Sequence, residues 1–415
     1  MNDADIGTED VQQQQQQAIN LLKKMIVVLE QKETFPFRNR KKINVLIEEF
    51  LEKLEDDIHG MFFDNYIEAD SDNYRGLDSE RDTEEEVEIA VRFFPEVLTR
   101  YSENDEDGRQ SVYYPIQLLA FTCREGGRAW QCNAKAVSFI PLLARLAIEL
   151  GLFEEDERGG LLCLDVSEGD NVLYLLTLTG ETIVENLEEK YRAIDDKCLQ
   201  VLIQLRKLGL LKKEDIQRYG LLRNLCREKY FAEKRFRFLV EWDPNVLTQT
   251  DEDGILPIHC QAFSSSIQGF RSVFEAGIHY YPMKEGISLL FRKDDHDKTP
   301  FHLACGNFGH EKVMEIVEDT LVGHHHLNDD SDDDANGPYN IVDALITACI
   351  DENIHLDCVY FLLLREPDVL QKLLPSSSSS LSSSITTNAT ETIVTEINPK
   401  KRKRKDTKKN DHDGT

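Results

Sequence analysis

Apolar residues recur every three or four positions over much of the chain, the spacing that places them on one face of an α-helix. Near the N-terminus this recurrence involves Ile19, Leu22, Ile26 and Leu29. Further stripes of the same kind lie in residues 41–56, 84–100, 142–150 and 199–208. The pattern predicts an all-α fold built from amphipathic helices. Residues 64–82 are polar and acidic, and we predict that they form a loop.

A short element, consisting of proline, an acidic or amide residue, valine and leucine, occurs three times. The copies are Pro95–Leu98, Pro244–Leu247 and Pro367–Leu370, and each follows an apolar helical stretch. Because proline cannot continue a helix, each copy is expected to end one helix and lead the chain into a loop. Three copies in the same context indicate internal repetition.

Acidic segments recur as well, at Asp105–Gly108, Asp251–Gly254 and Asp294–Asp297. Asp and Gly tolerate the positive φ angles of tight turns, so these segments are predicted to be turns. An EF-hand loop would need a longer ligand pattern that ends in glutamate, and the sequence lacks one. Turn formation is therefore the favoured interpretation of these carboxylates, ahead of metal binding.

A signature that contains proline follows the later turns. Its clearest copy is Thr299-Pro300-Phe301-His302-Leu303-Ala304-Cys305, with Gly309-His310 behind it. A second copy, Leu256-Pro257-Ile258-His259, follows Gly254. The signature resembles the hallmark of ankyrin repeats, in which Thr-Pro-Leu-His-x-Ala is followed by Gly-His. The resemblance implies a solenoid of stacked helix pairs that binds other proteins, with structural histidines.

Two further copies of the signature are weaker. Tyr114-Pro115-Ile116-Gln117 has glutamine in place of histidine, and four extra residues separate it from its turn glycine. In Asn340–Ala348 the Pro-His core is lost. Residues 121–235 keep the helical spacing without the signature, and we interpret them as diverged helix pairs of the same array, which gives five to seven repeats in total.

Each residue type in the signature has a physical reason. Proline suits the first turn of a helix, where its missing N–H costs nothing, and a preceding threonine can cap that helix. A small alanine allows two helices to pack closely. The structural motif therefore comprises Gly254, Pro257, His259, Thr299, Pro300, His302, Ala304, Gly309 and His310.

The domain organisation follows from these patterns. We predict a disordered Gln-rich N-terminus (1–17), N-terminal helices and an acidic loop (18–82), an ankyrin-like helical repeat array (83–374) and a disordered Ser-rich linker with a basic tail (375–415). The clearest repeats lie in residues 236–321. Pro257 and Pro300 are 43 residues apart, so an insertion is expected around residues 281–292, and a second, rich in Asp and His, at 323–337.

Charge divides the chain into two unequal parts. The formal net charge is −29, but residues 399–415 hold eight Lys or Arg and three Asp, which makes this tail basic and the remainder still more acidic. An acidic body repels nucleic-acid phosphate, whose binding depends on Lys and Arg. The body suits a protein partner of basic character. Its predicted contacts are the turn residues Asp251, Glu252, Asp253, Asp294, Asp295 and His296.

The basic tail resembles a monopartite nuclear localisation signal. It contains Pro399, Lys400, Lys401, Arg402, Lys403, Arg404 and Lys405 in succession. The resemblance implies an import receptor as a second partner and a nuclear or nucleocytoplasmic location. The alternative is that the tail anchors the protein electrostatically to nucleic acid, which is the one way in which this chain is expected to bind it.

Catalytic and cofactor motifs are missing from the sequence. It has no Walker or Rossmann glycine loop and no Gly-x-Ser-x-Gly elbow. His324, His325 and His326 with the following aspartates are interpreted as a solvated insertion, with weak metal binding as the alternative. The nine cysteines are an odd number and form no CxxC motif, which indicates reduced thiols. We therefore expect a non-enzymatic scaffold or adaptor without cofactor, metal or membrane span.

Overall fold

The computed structural model describes residues 20–63 except 22, residues 74–327 with gaps at 107–108, 124–129, 165–168, 180–187, 265 and 282–283, and also Tyr360 and Leu363. All of these belong to one compact unit of the chain, residues 1–369. The predicted disordered termini 1–17 and 375–415, the weak copy Asn340–Ala348 and the element Pro367–Leu370 lie outside the described residues.

The described residues are mostly helical, which confirms the helical prediction. Residues 20–21 and 23–30 are helical. The later helices are α1 (Phe37–Phe63), α2 (Glu84–Phe93), α3 (Pro115–Leu118), α4 (Ile140–Glu149), α5 (Val172–Leu175), α6 (Glu188–Lys207), α7 (Lys213–Arg218), α8 (Leu221–Arg227), α9 (Glu233–Trp242), α10 (Pro257–Phe263), α11 (Ile267–Tyr280), α12 (Lys284–Ser288), α13 (Pro300–Phe308) and α14 (His310–Leu327).

The helices contact one another in two parallel series. The first series runs α1, α3, α5, α8, α10 and α13, and each member contacts the next. The second runs α2, α4, α6, α9, α11 and α14 in the same way. Members of the two series alternate along the chain. Consecutive members contact each other in four cases: α3 with α4, α8 with α9, α10 with α11, and α13 with α14. Such stacking buries an apolar face that no single pair can hide alone.

One continuous cluster of buried apolar side chains extends along these pairs, from Phe62 to Leu321. Leu143 of α4, Leu202 of α6 and Phe270 of α11 are each at most 2% exposed. This burial is the main source of stability, because each fully buried side chain of this size contributes roughly 1.5–3 kcal/mol. The stripes at 142–150 and 199–208 therefore mark core helices, although Leu208 itself is exposed.

Helix ends agree with the local sequence. Thr83 and Glu86 form the capping box at the start of α2, where each accepts a backbone N–H from the other. Two of the Pro-Val-Leu elements form short 3-10 helices, Pro95–Leu98 after α2 and Pro244–Thr248 after α9. In both, the proline follows the last residues of the preceding helix. The valine and leucine are buried, so the element packs against the core.

Two short β-hairpins depart from a purely α-helical chain. Strands β1 (Ser102–Glu106) and β2 (Arg109–Tyr113) pair antiparallel, as do β3 (Phe121–Cys123) and β4 (Trp130–Cys132). Glu106 lies opposite Arg109, and the Asp-Gly dipeptide between them is favoured in two-residue hairpin turns. Asp105 and Glu106 thus belong to strand β1, and the extra residues that precede Tyr114 lie in strand β2.

The two predicted insertions have different outcomes. Residues 281–292 include α12 and the buried Leu290 and Phe291, and the Phe301 N–H donates to the Leu290 carbonyl at 2.9 Å. This added helix accounts for the 43-residue separation of the two prolines. In the second, 323–337, α14 continues through Leu327, so residues 323–327 are helical, and the insertion itself stays a prediction. Residues 328–337 lie outside the described residues.

Candidate partner-binding surface

Two acidic turns have the same hydrogen-bond pattern. The Asp251 carboxylate accepts the backbone N–H groups of Asp253 at 3.1 Å and Ile255 at 2.8 Å. The Asp294 carboxylate accepts those of residues 296 and 298, at 2.9 and 2.7 Å. The fourth residue of each turn has positive φ, +74° at Gly254 and +58° at Asp297. Each turn is therefore an Asx-type turn in which the first aspartate satisfies the backbone.

The two turns lie side by side. The Asp295 N–H donates to the Asp253 carbonyl at 3.0 Å, a hydrogen bond from one turn to the next. A Cβ added at Gly254 would lie 3.0 Å from Asp295 Oδ1 and 3.3 Å from the Asp294 Cα. Glycine is thus required at residue 254 both for its φ and for the close approach of the neighbouring turn.

The six turn residues predicted to bind a partner divide into two groups. Glu252, Asp253, Asp295 and His296 are exposed. Asp251 instead points inward, with an 11% exposed side chain that pairs with Arg227 at 2.9 Å. Asp294 is half-buried and holds its own turn. The first group forms an exposed, acidic edge, which we call the turn edge, and the two first-position aspartates are its supports.

His259 connects the first turn's helix to the second turn. Its Nδ1 accepts the Leu256 N–H at 3.0 Å, and its Nε2 lies 3.3 Å from the Lys298 carbonyl. Nδ1 must therefore be unprotonated and Nε2 must carry the hydrogen. The side chain is fully buried, and burial lowers its pKa below the ordinary value of 6.5. The neutral ring suits a structural role, in which it fastens one repeat to the next.

Gln117 makes the equivalent pair of bonds in α3. Its Oε1 accepts the Tyr114 N–H at 2.8 Å, and its Nε2 donates to the Cys163 carbonyl at 3.0 Å. Like His259, it is fully buried. The glutamine in the weaker copy of the signature thus performs the task of the histidine, because its amide also offers one acceptor and one donor.

The other motif residues support the helix starts. Pro257 and Pro300 are the first residues of α10 and α13, and Thr299 caps α13 by accepting the His302 N–H at 3.2 Å. Ala304 is fully buried where α13 packs on α10. Gly309, with φ +92°, ends α13, and the exposed His310 ring meets Phe301 edge-on.

The sequence did not predict the buried ion pair between Arg235 and Asp195. The Arg235 guanidinium on α9 is fully buried and donates to Asp195 on α6 at 2.9 Å and to the Leu176 carbonyl at 2.6 Å. Asp195 also accepts the Lys234 N–H at 2.9 Å. The residues 233–237 read Glu-Lys-Arg-Phe-Arg, which is typical of a solvated surface. Only the helical phase of Arg235 next to Phe236 indicates its burial.

Beside the first turn lies a polar groove of about 440 Å³. Its lining includes Gln217, Arg223, Thr248, Gln249 and Thr250. The lining reaches Thr250, the residue before the first turn, and offers amide and hydroxyl groups that can hydrogen-bond a peptide, together with the Arg223 guanidinium. Within the described part of the chain, no cluster of three or more His, Cys, Asp or Glu side chains has the arrangement of a metal site.

Comparisons with known proteins give no family. No protein-family model, curated protein sequence or solved structure matches the chain. In the part of the chain that the structure describes, no helix has the length and apolarity needed to cross a bilayer. His324–His326 fall within α14, and the segment Pro399–Lys405 lies outside the described residues.

Proposed function

We propose that the protein is a non-enzymatic adaptor of ankyrin-like repeats, which binds a basic segment of a partner protein along the turn edge. One observation carries this proposal: the hydrogen bond from Asp295 to Asp253 aligns two turns so that their exposed carboxylates lie along one edge. Carboxylates held on a rigid support attract a cationic segment and cost little ordering entropy when it binds.

The groove beside the turn edge supports the same proposal. A cationic side chain seated on Glu252 or Asp253 leaves the adjoining backbone of a peptide next to Gln249 and Thr250, whose polar groups satisfy it. The roles of the turn residues also support the proposal. The Asp251 and Asp294 carboxylates accept backbone N–H groups of their own turns, whereas the neighbouring turn residues face solvent and can contact a partner. Turns on a stacked helical support commonly serve as such binding surfaces.

Charge reversal tests this function. A triple variant, Glu252→Lys with Asp253→Lys and Asp295→Lys, should lower affinity for a panel of Lys/Arg-rich peptides by at least about tenfold, measured by fluorescence anisotropy at low and moderate salt. The matched control reverses three exposed glutamates elsewhere, Glu189, Glu311 and Glu318. Equal losses in both triples would show attraction to net charge alone and would contradict a defined site.

We propose further that the protein accumulates in the nucleus, because the sequence Pro399–Lys405 resembles a nuclear localisation signal. Deletion of residues 399–409 should abolish nuclear accumulation, and a fused heterologous import signal should restore both location and partner binding. The alternative, a nucleic-acid anchor, predicts instead that the relocated deletion variant has lost salt-dependent binding to DNA or RNA. Retention of nuclear accumulation after the deletion would contradict the localisation.

A further inference from the structure

Helix α1 exposes an apolar face over its N-terminal two thirds. Leu46, Phe50 and Leu51 are 63%, 56% and 44% exposed, far more than large apolar side chains in a core. The helix joins the buried cluster at its other end, where Phe62 is fully buried. The first five turns of this 27-residue helix therefore carry large apolar side chains that are open to solvent.

The residues of this face follow the alternating three- and four-residue spacing of a coiled-coil seam. The positions are Arg40, Ile43, Ile47, Phe50, Leu54 and Asp57. Four central apolar residues are thus bounded by a cation at one end and a carboxylate at the other. Phe50 is exposed, whereas Ile43, Ile47 and Leu54 are half-buried. Leu46 and Leu51 flank the seam and widen its apolar surface.

The seam is complementary to itself when it is reversed. In an antiparallel pair centred between Ile47 and Phe50, Ile47 meets Phe50 of the second copy, and Ile43 meets Leu54. The same register places Arg40 opposite Asp57 at both ends. A parallel pair would instead set Arg40 against Arg40 and Asp57 against Asp57, which is repulsive.

We propose that this face binds a second copy of the chain, as an antiparallel, two-fold pair of α1 helices. Such an interface is isologous, because the same patch serves both partners. The charge distribution favours this occupant over an unrelated protein. A different partner needs no reversal symmetry in α1, whereas a second copy requires that each apolar or charged position find its complement along the same helix.

The present contacts of these charges are compatible with dimer formation. Arg40 contacts the Glu33 carboxylate at 2.9 Å, and Asp56 contacts Arg100 at 2.8 Å. Glu33 is exposed and Arg40 is half-buried, and an ion pair this open to water contributes little free energy, so Arg40 can exchange its partner without a large penalty. Asp57 is exposed and lies at the seam position that the antiparallel register sets opposite Arg40. The inference does not depend on the turn edge or on the nuclear signal.

Sedimentation velocity on the full chain, over a concentration series, tests the proposal. The wild type should sediment as a reversible dimer, and Phe50→Asp should raise the dimer dissociation constant by at least about tenfold. The matched control is Phe263→Asp, which changes an equally exposed phenylalanine on α10 and should leave dimerisation unaltered. Circular dichroism establishes that each variant is folded.

A charge exchange fixes the orientation. Arg40→Asp alone and Asp57→Arg alone should each weaken the dimer by about tenfold, because each creates two like-charge contacts. Both changes together in one chain restore opposite charges at each end and should return the dissociation constant to within about threefold of the wild type. A wild-type chain that stays monomeric at about 100 µM would overturn the proposal. So would additive losses in the double variant, or a dimer that Phe50→Asp does not weaken.

Discussion

The repeats that begin at α3 and at α10 solve one problem with different side chains. In the α10 repeat, His259 accepts the backbone N–H at the helix start and reaches the carbonyl of Lys298 in the next repeat. In the α3 repeat, Gln117 makes the same two contacts, to Tyr114 and to Cys163. What the motif preserves is therefore a donor and an acceptor at a fixed separation, and an amide supplies them as well as an imidazole.

The loops that receive these bonds differ much more. Lys298 follows the four-residue turn Asp294–Asp297, which lies against the preceding turn, as the Asp295 to Asp253 hydrogen bond shows. Cys163 instead follows the Arg158-Gly159-Gly160 turn, in which all three residues have positive φ. Arg158 there reaches forward to the Asp215 carboxylate, which is 2% exposed. The comparison indicates that the hydrogen-bond pair fixes the stacking, while loop conformation is free to vary around it.

The glycines of the two loops should give the largest contrast. A Cβ at Gly159 would lie 2.4 Å from the Ala144 carbonyl oxygen, a backbone atom of α4, whereas at Gly254 the nearest atom is the end of a side chain at 3.0 Å. Both have positive φ, so both substitutions are strained. We expect Gly159→Ala to cost about 4 kcal/mol and Gly254→Ala about 2 kcal/mol in the free energy of unfolding. Urea titration measures both, and equal costs would contradict the backbone clash.

Removal of the bridging side chains comes next in size. Gln117→Ala removes the partners of the Tyr114 N–H and the Cys163 carbonyl. His259→Ala removes the partner of the Leu256 N–H, while the Lys298 carbonyl keeps the Asp294 N–H at 2.9 Å. Each change also opens a small cavity, so each should cost about 2–4 kcal/mol. If the two side chains are equivalent, the losses should agree within about 1 kcal/mol, as measured by chemical denaturation. A loss at Gln117 below about 1 kcal/mol would show that the weaker copy of the signature is not equivalent.

The helix pairs were predictable because the periodicity of apolar residues is a local property of the sequence. The 142–150 and 199–208 stripes fall on α4 and α6, and the Pro-Val-Leu elements end α2 and α9 as expected. The β1–β2 hairpin was not predictable in this way. Its first strand reads Ser-Glu-Asn-Asp-Glu, which has no alternation of apolar and polar residues. Its backbone pairing with Arg109–Tyr113 defines it.

The sequence predicted where the candidate site lies, but not which of its acidic residues are exposed and which support the turns. The sequence marks both acidic turns, yet it does not separate Asp251, which pairs with Arg227, from the exposed Asp253. Such distinctions depend on contacts between residues distant in the chain. The buried pair of Arg235 and Asp195, 40 residues apart, is missed for the same reason. No local pattern reports which charged residue faces a partner inside the fold.

The α10 repeat also differs from the α3 repeat in its pH dependence, because His259 can titrate whereas Gln117 cannot. Its pKa is lowered in the folded state by burial, so the folded chain binds fewer protons than the unfolded chain once the pH falls below about 6.5. Stability is therefore intact at pH 7 and is lost as the pH falls toward the folded pKa, by at most about 1.4 kcal/mol per pH unit. His259→Gln should reduce this slope, since Gln117 shows that an amide fits.

Denaturant titrations of the wild type and His259→Gln at pH 7.5, 6.5 and 5.5 measure the slope. Part of the pH dependence of stability should remain in His259→Gln, because desolvation also lowers the pKa of His59. His59→Gln therefore serves as the parallel variant, and the two reductions should add, since the residues lie on different helix pairs. An unchanged slope in His259→Gln would show that the ring is not held neutral by its contacts.

The smallest effect is expected where the two acidic turns meet solvent. Glu252→Gln and Asp295→Asn remove exposed charges and should change the free energy of unfolding by less than about 0.5 kcal/mol. Asp251→Ala, one residue earlier, removes the acceptor of two backbone N–H groups and the partner of Arg227, and should cost about 1–2 kcal/mol. Thermal unfolding of the three variants, read beside their peptide affinities, separates the two roles: residues of the turn edge should alter affinity alone, whereas Asp251 should alter stability first. A stability loss at Glu252 equal to that at Asp251 would remove the distinction between the edge and its support.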